Sequence, residues 1–248
     1  MLSLCLAHAL AGEGTGFDHA DLDALLGSHV SAAGVDYAGL AASSGGLDAY
    51  VTRLAGADVA ALGQADAMAF WINAYNALTL QLVVANQPLA SIRDLDDGNP
   101  WDARTWTVAG STVTLNAIEH EILRPMGDAR IHAAVNCASK GCPPLATDAF
   151  TGPTLDAQLT AASRAWSREN AVTITEDSVA LSAIFDWFGD DFVGSWGPAH
   201  HDIPGVEGKQ EAALNFVAQY LDDEQRVWLH AGGYTVTYAE YDWSLNAR

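Results

Sequence analysis

Two short stretches of the chain hold the residue types that nucleophilic chemistry needs. The first, residues 115–123, reads LNAIEHEIL and sets Glu119 beside His120. At a helical turn of 100° per residue, Leu115, Ile118, Ile122 and Leu123 share one apolar face, and Glu119 falls inside it. A lone buried carboxylate is costly, so it must be paired or protonated. His120 lies on the flank of the same stripe, in line with Asn116. The plainer alternative is a glutamate that reaches the helix rim or ties down a neighbouring loop. The second stretch, 130–144, reads RIHAAVNCASKGCPP. Residues 130–136 alternate weakly and are expected to form a strand. Cys137 would then stand at a strand-to-loop switch, where a thiol can be exposed and backbone N–H groups can converge on an oxyanion. A histidine nearby would keep that thiol ionised. Strand alternation puts His132 and Cys137 on opposite faces, so pairing them requires a bend; His120, arriving from the helix, requires none.

These types support acyl transfer at an amide, peptide or thioester. Cys137 would attack, His120 or His132 would act as general base and then acid, and Glu119 would orient or charge-pair the imidazolium. Neither metal nor cofactor is needed. Arg124, Arg130, Ser139 and Lys140 flank the site and are expected to bind substrate, the cations by holding a carboxylate, as would suit a short peptide such as glutathione. Buried free cysteine is common in cores, so plain packing is the alternative for Cys137, and Cys142 is open to three roles: resolving thiol, disulfide partner or filler. Two rival readings need no nucleophile. One is a binding module for a small peptide or thiol; the other is a redox protein cycling Cys137 and Cys142, a looser ring than C-x-x-C.

A third signal is Asn73 and Asn76, three apart on one face of an apolar helix. Buried amides need partners, either on a substrate in a cleft or on the backbone of a neighbouring loop. His200, His201 and Asp202 offer metal-ligating types, but without a third spaced ligand they read as a surface loop, and no four-ligand zinc pattern exists.

The elements that must position these residues alternate helices with hairpins. Apolar spacing predicts helices over 17–30, 47–54, 65–86, 115–123, 155–166, 182–193 and 209–221, the one over 65–86 being apolar nearly all round and therefore central. Thr114 is a good N-cap for the helix of Glu119, and Pro125 fits just past its end. Hairpins are expected at 105–114, at 172–181 and, about Gly232 and Gly233, at 226–238. Strands in hairpins favour α+β, a helix-rich single domain around a small antiparallel sheet, over a doubly wound fold.

The chain has 248 residues, half of them hydrophobic, with 11 Lys+Arg against 31 Asp+Glu for a formal charge of −20. The apolar fraction suffices for a core, and the acidity argues against nucleic acid and anionic membranes as partners. No run of about 18 consecutive apolar residues occurs, so a soluble protein is expected. The first eleven residues, MLSLCLAHALA, resemble the apolar part of an export signal, although no Lys or Arg precedes Arg53. The expected division is a signal remnant over 1–16 and one catalytic-type domain over 17–248, in a periplasmic or secreted protein.

Five motifs in order carry a resemblance. AFWINAYNALTL from Ala69, LNAIEHEILRP from Leu115, RIHAAVNCASKGCPPL from Arg130, LSAIFDWFGDDF from Leu181 and YDWSLN from Tyr241 resemble the domain-of-unknown-function 547 family. The resemblance implies that Glu119, His120, His132, Cys137 and Cys142 are motif positions, and it brings no established activity. Its frequent occurrence in exported bacterial proteins implies an export signal here. A Cys, a His and a carboxylate together would be similar to a papain- or transglutaminase-type thiol site. Because both histidines precede Cys137, that likeness implies a circularly permuted core.

Overall fold

The computed structural model describes residues 16–197 and 203–248. The export-like segment with Cys5, and the trio His200, His201 and Asp202, lie outside the described residues. The fold is α+β and helix-rich. Helix α1 (Ala20–His29) is followed by the two-residue strands β1 (Val30–Ser31) and β2 (Gly34–Val35), then α2 (Tyr37–Ala42) and α3 (Ser44–Leu54). Helix α4 (Gln64–Ala85) comes next, and residues 68–80 along it are all buried, as an all-round apolar sequence requires. By length and composition alone α4 would pass for a membrane span; here it is the axis of a core shared with Leu22, Leu47, Tyr50, Ile118 and Ile131.

After α5 (Pro100–Ala103) the expected hairpin forms from β3 (Trp106–Val108) and β4 (Ser111–Val113). Thr114 caps the next helix, its hydroxyl accepting from the Ala117 N–H at 3.0 Å. The α-helical part, α6 (Leu115–Ala117), is brief. From Ile118 to Leu123 the turns widen into a π-helix, and Arg124–Met126 tightens to a 3-10 turn ended by Gly127 at φ 81°. Such π segments occur often at functional sites.

Two expected strands are corrected. Residues 130–136 do not extend; Ala129–Ala133 forms a 3-10 helix capped by Asp128, whose carboxylate accepts from the Arg130 N–H at 3.0 Å. Residues 226–230 are not half of a hairpin but lie in a helix, given below. Helix α7 (Leu155–Glu169) leads into β5 (Val172–Ile174) and β6 (Ser178–Leu181), which pair antiparallel. Then come α8 (Ala183–Trp196), α9 (Gly208–Ala218), α10 (Asp223–Ala231) and β7 (Thr235–Tyr238). Strand β7 lies parallel to β6, which makes this small sheet mixed rather than purely antiparallel.

A second core, rich in rings, gathers Trp166, Phe185, Phe192 and Phe216 between α7, α8 and α9. The two cores meet at the 3-10 segment: Ile131 belongs to the first, Ala129 and Ala133 to the second. The C-terminal segment then recrosses the seam. Leu245 enters the first core, Ser139 bridges to Leu245, and Val35 bridges to Ala247.

Candidate functional site

A cavity of about 220 Å³ opens at this seam. Its lining joins a polar set, Glu119, His120, His132, Cys137 and Cys142, to an aromatic set, Trp101, Trp187, Tyr241 and Trp243, together with Tyr75, Asn99, Asn116 and Phe188.

His132 comes from the 3-10 segment and is buried, its ring stacked on Phe188 at 4.6 Å. Its Nε2 lies 2.8 Å from Asp191 on α8. A carboxylate only accepts, so Nε2 carries the proton and the neutral ring keeps its lone pair on Nδ1. Nδ1 faces the Glu119 carboxylate at 3.9 Å. His120 is arranged the other way. Arg124 donates to its Nδ1 at 3.2 Å, which places the neutral ring's proton on Nε2 and leaves no free lone pair while that bond lasts.

Asp191 is the hub. Arg124 grips it through Nε at 2.7 Å and Nη2 at 2.8 Å while His132 takes Oδ2. Burial alone would raise the Asp191 pKa; the hydrogen bonds from His132 and Arg124 reverse this and hold it well below the usual carboxylate range. Asp191 carries no signal on its own segment beyond being one of two acids in FGDDF.

Cys137 and Cys142 form a disulfide. The Cys137 N–H donates to the Cys142 sulfur at 2.9 Å, and the Cys137 sulfur meets the hydroxyls of Ser139 at 3.0 Å and Tyr241 at 3.1 Å. Tyr241 also donates to the Cys142 sulfur at 3.1 Å. Burial pushes the Tyr241 phenol upward, so it remains a donor at neutral pH. Among the described residues no hydrogen bond joins either imidazole to the Cys137 sulfur. The loop's other amides are spent: Ala138 on Asn136, Lys140 on Ser244, Gly141 on Asp242 and Cys142 on Ser139. The outward cluster of N–H groups expected after Cys137 does not form. Ala138 sits at φ 63°, a left-handed conformation unusual for a residue with a Cβ, fixed by its own bond to Asn136 and by the bond from Asn246.

The expected substrate-binding residues go elsewhere. Asn76 clamps the chain between His132 and Cys137, donating to the Ala134 carbonyl at 2.9 Å and accepting from the Asn136 N–H at 2.9 Å. Asn73 does the same for Phe150, at 2.7 and 2.9 Å. Neither lines the cavity. Arg130 pairs with Asp128 and Asp156 on another face, and Arg124 is committed to Asp191. Lys140 borders a separate groove with residues 30–35. Ser139 is buried against the sulfur rather than open to the cavity. Among the described residues no Lys or Arg lines the cavity, so the carboxylate-holding cluster expected from sequence does not gather there.

Sequence reasoning also passed over Tyr241 and the three tryptophans. Trp187 and Trp243 stack at 5.9 Å, Tyr241 lies 4.5 Å from Trp243, and Trp101 meets Trp243 edge-on at 5.7 Å. Among the described residues no group of three His, Cys, Asp or Glu could hold a metal ion.

Comparison with known proteins gives one match. Residues 59–166, which include the helix of Glu119 and the cysteine loop, match the family described as "Protein of unknown function, DUF547". No curated protein and no solved structure matches the chain.

Proposed function

We propose, starting from a chain whose residues 59–166 match the DUF547 family, that the cavity is a thiol site for acyl transfer on a small peptide or amide. The observation that carries this reading is that Cys137 lines the same cavity as an imidazole whose far nitrogen is fixed by a carboxylate at 2.8 Å. His132 takes the role of base, since its Nδ1 lone pair is the free one, and Asp191 orients it. Glu119, at 3.9 Å, steadies the imidazolium once formed.

The disulfide makes reduction the first step. Two equivalents of a low-molecular-weight thiol convert the Cys137–Cys142 bond to two thiols and leave one small-molecule disulfide. His132 then removes the Cys137 proton, and the thiolate adds to the substrate carbonyl. The imidazolium returns its proton to the leaving amine as the tetrahedral adduct collapses to an acyl-enzyme, which water or an amine resolves. Reduction also releases the Cys137 N–H from the Cys142 sulfur, and with the Tyr241 hydroxyl it supplies two donors for the oxyanion.

The test is alkylation by iodoacetamide at mildly acidic pH, with and without prior reduction, together with product analysis on peptide libraries. Cys137 should be modified only after reduction and faster than Cys142, and Cys137→Ser should abolish product. A thiol that stays inert after reduction, or turnover that survives Cys137→Ser, overturns the reading. A second reading, a non-catalytic binding module, is favoured by the sulfur's lack of an imidazole hydrogen bond. It requires ligand-dependent melting shifts that persist in Cys137→Ser, with no product.

A further inference from the structure

We propose that this cavity receives an alkylammonium group, its stem against the aromatic wall and its charge at Glu119. The inference rests on the acyl-transfer reading only for what lies beside the ligand; the binding itself does not involve the sulfur.

The Glu119 side chain is 12% exposed, and among the described residues it faces His132 Nδ1 at 3.9 Å and makes no ion pair with a lysine or arginine. Its other neighbour is the Tyr75 hydroxyl, which burial, and then the nearby Glu119 charge, keep protonated. The Arg124 guanidinium also acts on this carboxylate but is bound to Asp191, so a part-buried Glu119 gains from a cation delivered by a ligand. Trp101, Trp187, Tyr241 and Trp243 line the same cavity, and the faces of such rings attract cations while their breadth covers an alkyl stem. One ring of the cluster already carries a cation, the Arg93 guanidinium lying 5.0 Å over Trp243.

Among the described residues that line the cavity there is no Lys or Arg to meet an anionic ligand. The arginines closest to the site in sequence are neutralised, Arg124 by Asp191 and Arg130 by Asp128 and Asp156, and the whole chain carries −20. A field of that sign draws in cations and repels carboxylates. A linear alkylammonium also suits a space of about 220 Å³. A lysine side chain and a free linear amine share this chemistry.

The experiment is calorimetric titration of the full chain in its disulfide form, with Trp fluorescence as a second readout. The probes are n-butylammonium, n-butanol, butyrate and Nα-acetyl-lysine amide. Saturable binding of n-butylammonium is expected at least ten-fold tighter than of n-butanol, with none for butyrate and with loss of affinity as salt rises. Glu119→Gln and Trp187→Ala should each weaken it at least five-fold. Trp187 is 46% exposed, so its truncation tests the wall even where Glu119→Gln fails to fold. Tighter binding of the lysine amide assigns a peptide source, and equal or weaker binding a free amine. Absence of saturable binding by either cation, butyrate binding as well as butylammonium, or indifference to Trp187→Ala would overturn the proposal. None of these readouts uses the thiol, so their failure leaves the acyl-transfer reading standing, and an inert Cys137 leaves this subsite standing.

Discussion

The polar wall of the cavity and its aromatic wall are built in opposite ways. The polar wall is local in sequence: Glu119, His120, His132, Cys137 and Cys142 span 24 residues, counted inclusively from 119 to 142. It is carried on a π-helix, a 3-10 helix and a loop, which leave backbone groups that regular elements would satisfy. Buried amides make up the difference, Asn76 from α4 and Asn136 from within the loop itself. The aromatic wall is remote: Trp101, Trp187, Tyr241 and Trp243 arrive from three separated segments and hold one another by ring contacts. Hydrogen bonds therefore fix the side where atoms must be placed closely, and area contacts furnish the side that needs only shape and charge preference.

If that contrast is right, the two walls respond differently to truncation. Asn76→Ala strands a buried carbonyl and a buried N–H in the segment linking His132 to Cys137, at a cost of about 3 kcal/mol. Trp187→Ala removes a half-exposed ring and is expected to change stability by less than about 1 kcal/mol. Urea midpoints measure both. Equal losses would mean that the aromatic wall is as structural as the polar one.

Within the polar wall the two histidines should separate. If His132 is the base of the proposed thiol site, His132→Ala in the reduced protein should slow alkylation of Cys137 at pH 6 on the order of 100-fold. His120→Ala, whose ring is tied to Arg124 through Nδ1, should change it only a few-fold. The pH profile adds a check a mere packing role would not pass, since the wild-type rate should level off well below pH 8 and that of His132→Ala should keep rising. A reversed order of the two variants would move the base to His120.

The same contrast decides what the sequence discloses. Glu119 stood out because a carboxylate inside an apolar stripe is anomalous on its own helix, and the cysteine loop because of its small residues and paired sulfurs. Asp191 did not, because on an amphipathic helix an acid reads as solvent-facing until its partner, 59 positions away, is known. Tyr241 is 104 residues from the sulfur it meets, and each tryptophan is unremarkable until the others are beside it. Two elements were misread for local reasons. Ile131, Ala133 and Val135 mimic strand alternation, while Asp128, the cap that starts a 3-10 turn, was the better signal. Val227-Trp228-Leu229 looks like a strand, yet Asp222 and Gln225 form a capping box that opens α10, and Val227 is 69% exposed. The widening of 118–123 into a π-helix has no compositional mark at all.

The smallest effect probes where the walls touch. Tyr241 belongs to the aromatic wall by its ring and to the polar wall by its hydroxyl, which lies 3.1 Å from each sulfur and 2.9 Å from Ser139. Its ring lies over Gly141, where a Cβ would come within 2.8 Å of the ring carbons, closer than packing permits. Gly141→Ala must therefore displace the phenol while leaving every sulfur and imidazole in the sequence. Losing one hydroxyl hydrogen bond to a thiolate is worth about 1.5 kcal/mol, a rate change of roughly ten-fold. Alkylation of reduced Cys137 should fall by that factor in Gly141→Ala and by the same factor in Tyr241→Phe, which keeps the ring and removes only the donor. If Gly141→Ala slows the reaction and Tyr241→Phe does not, the ring closes the cavity and the hydroxyl contributes nothing to the sulfur. The seam between the walls would then be one of shape alone.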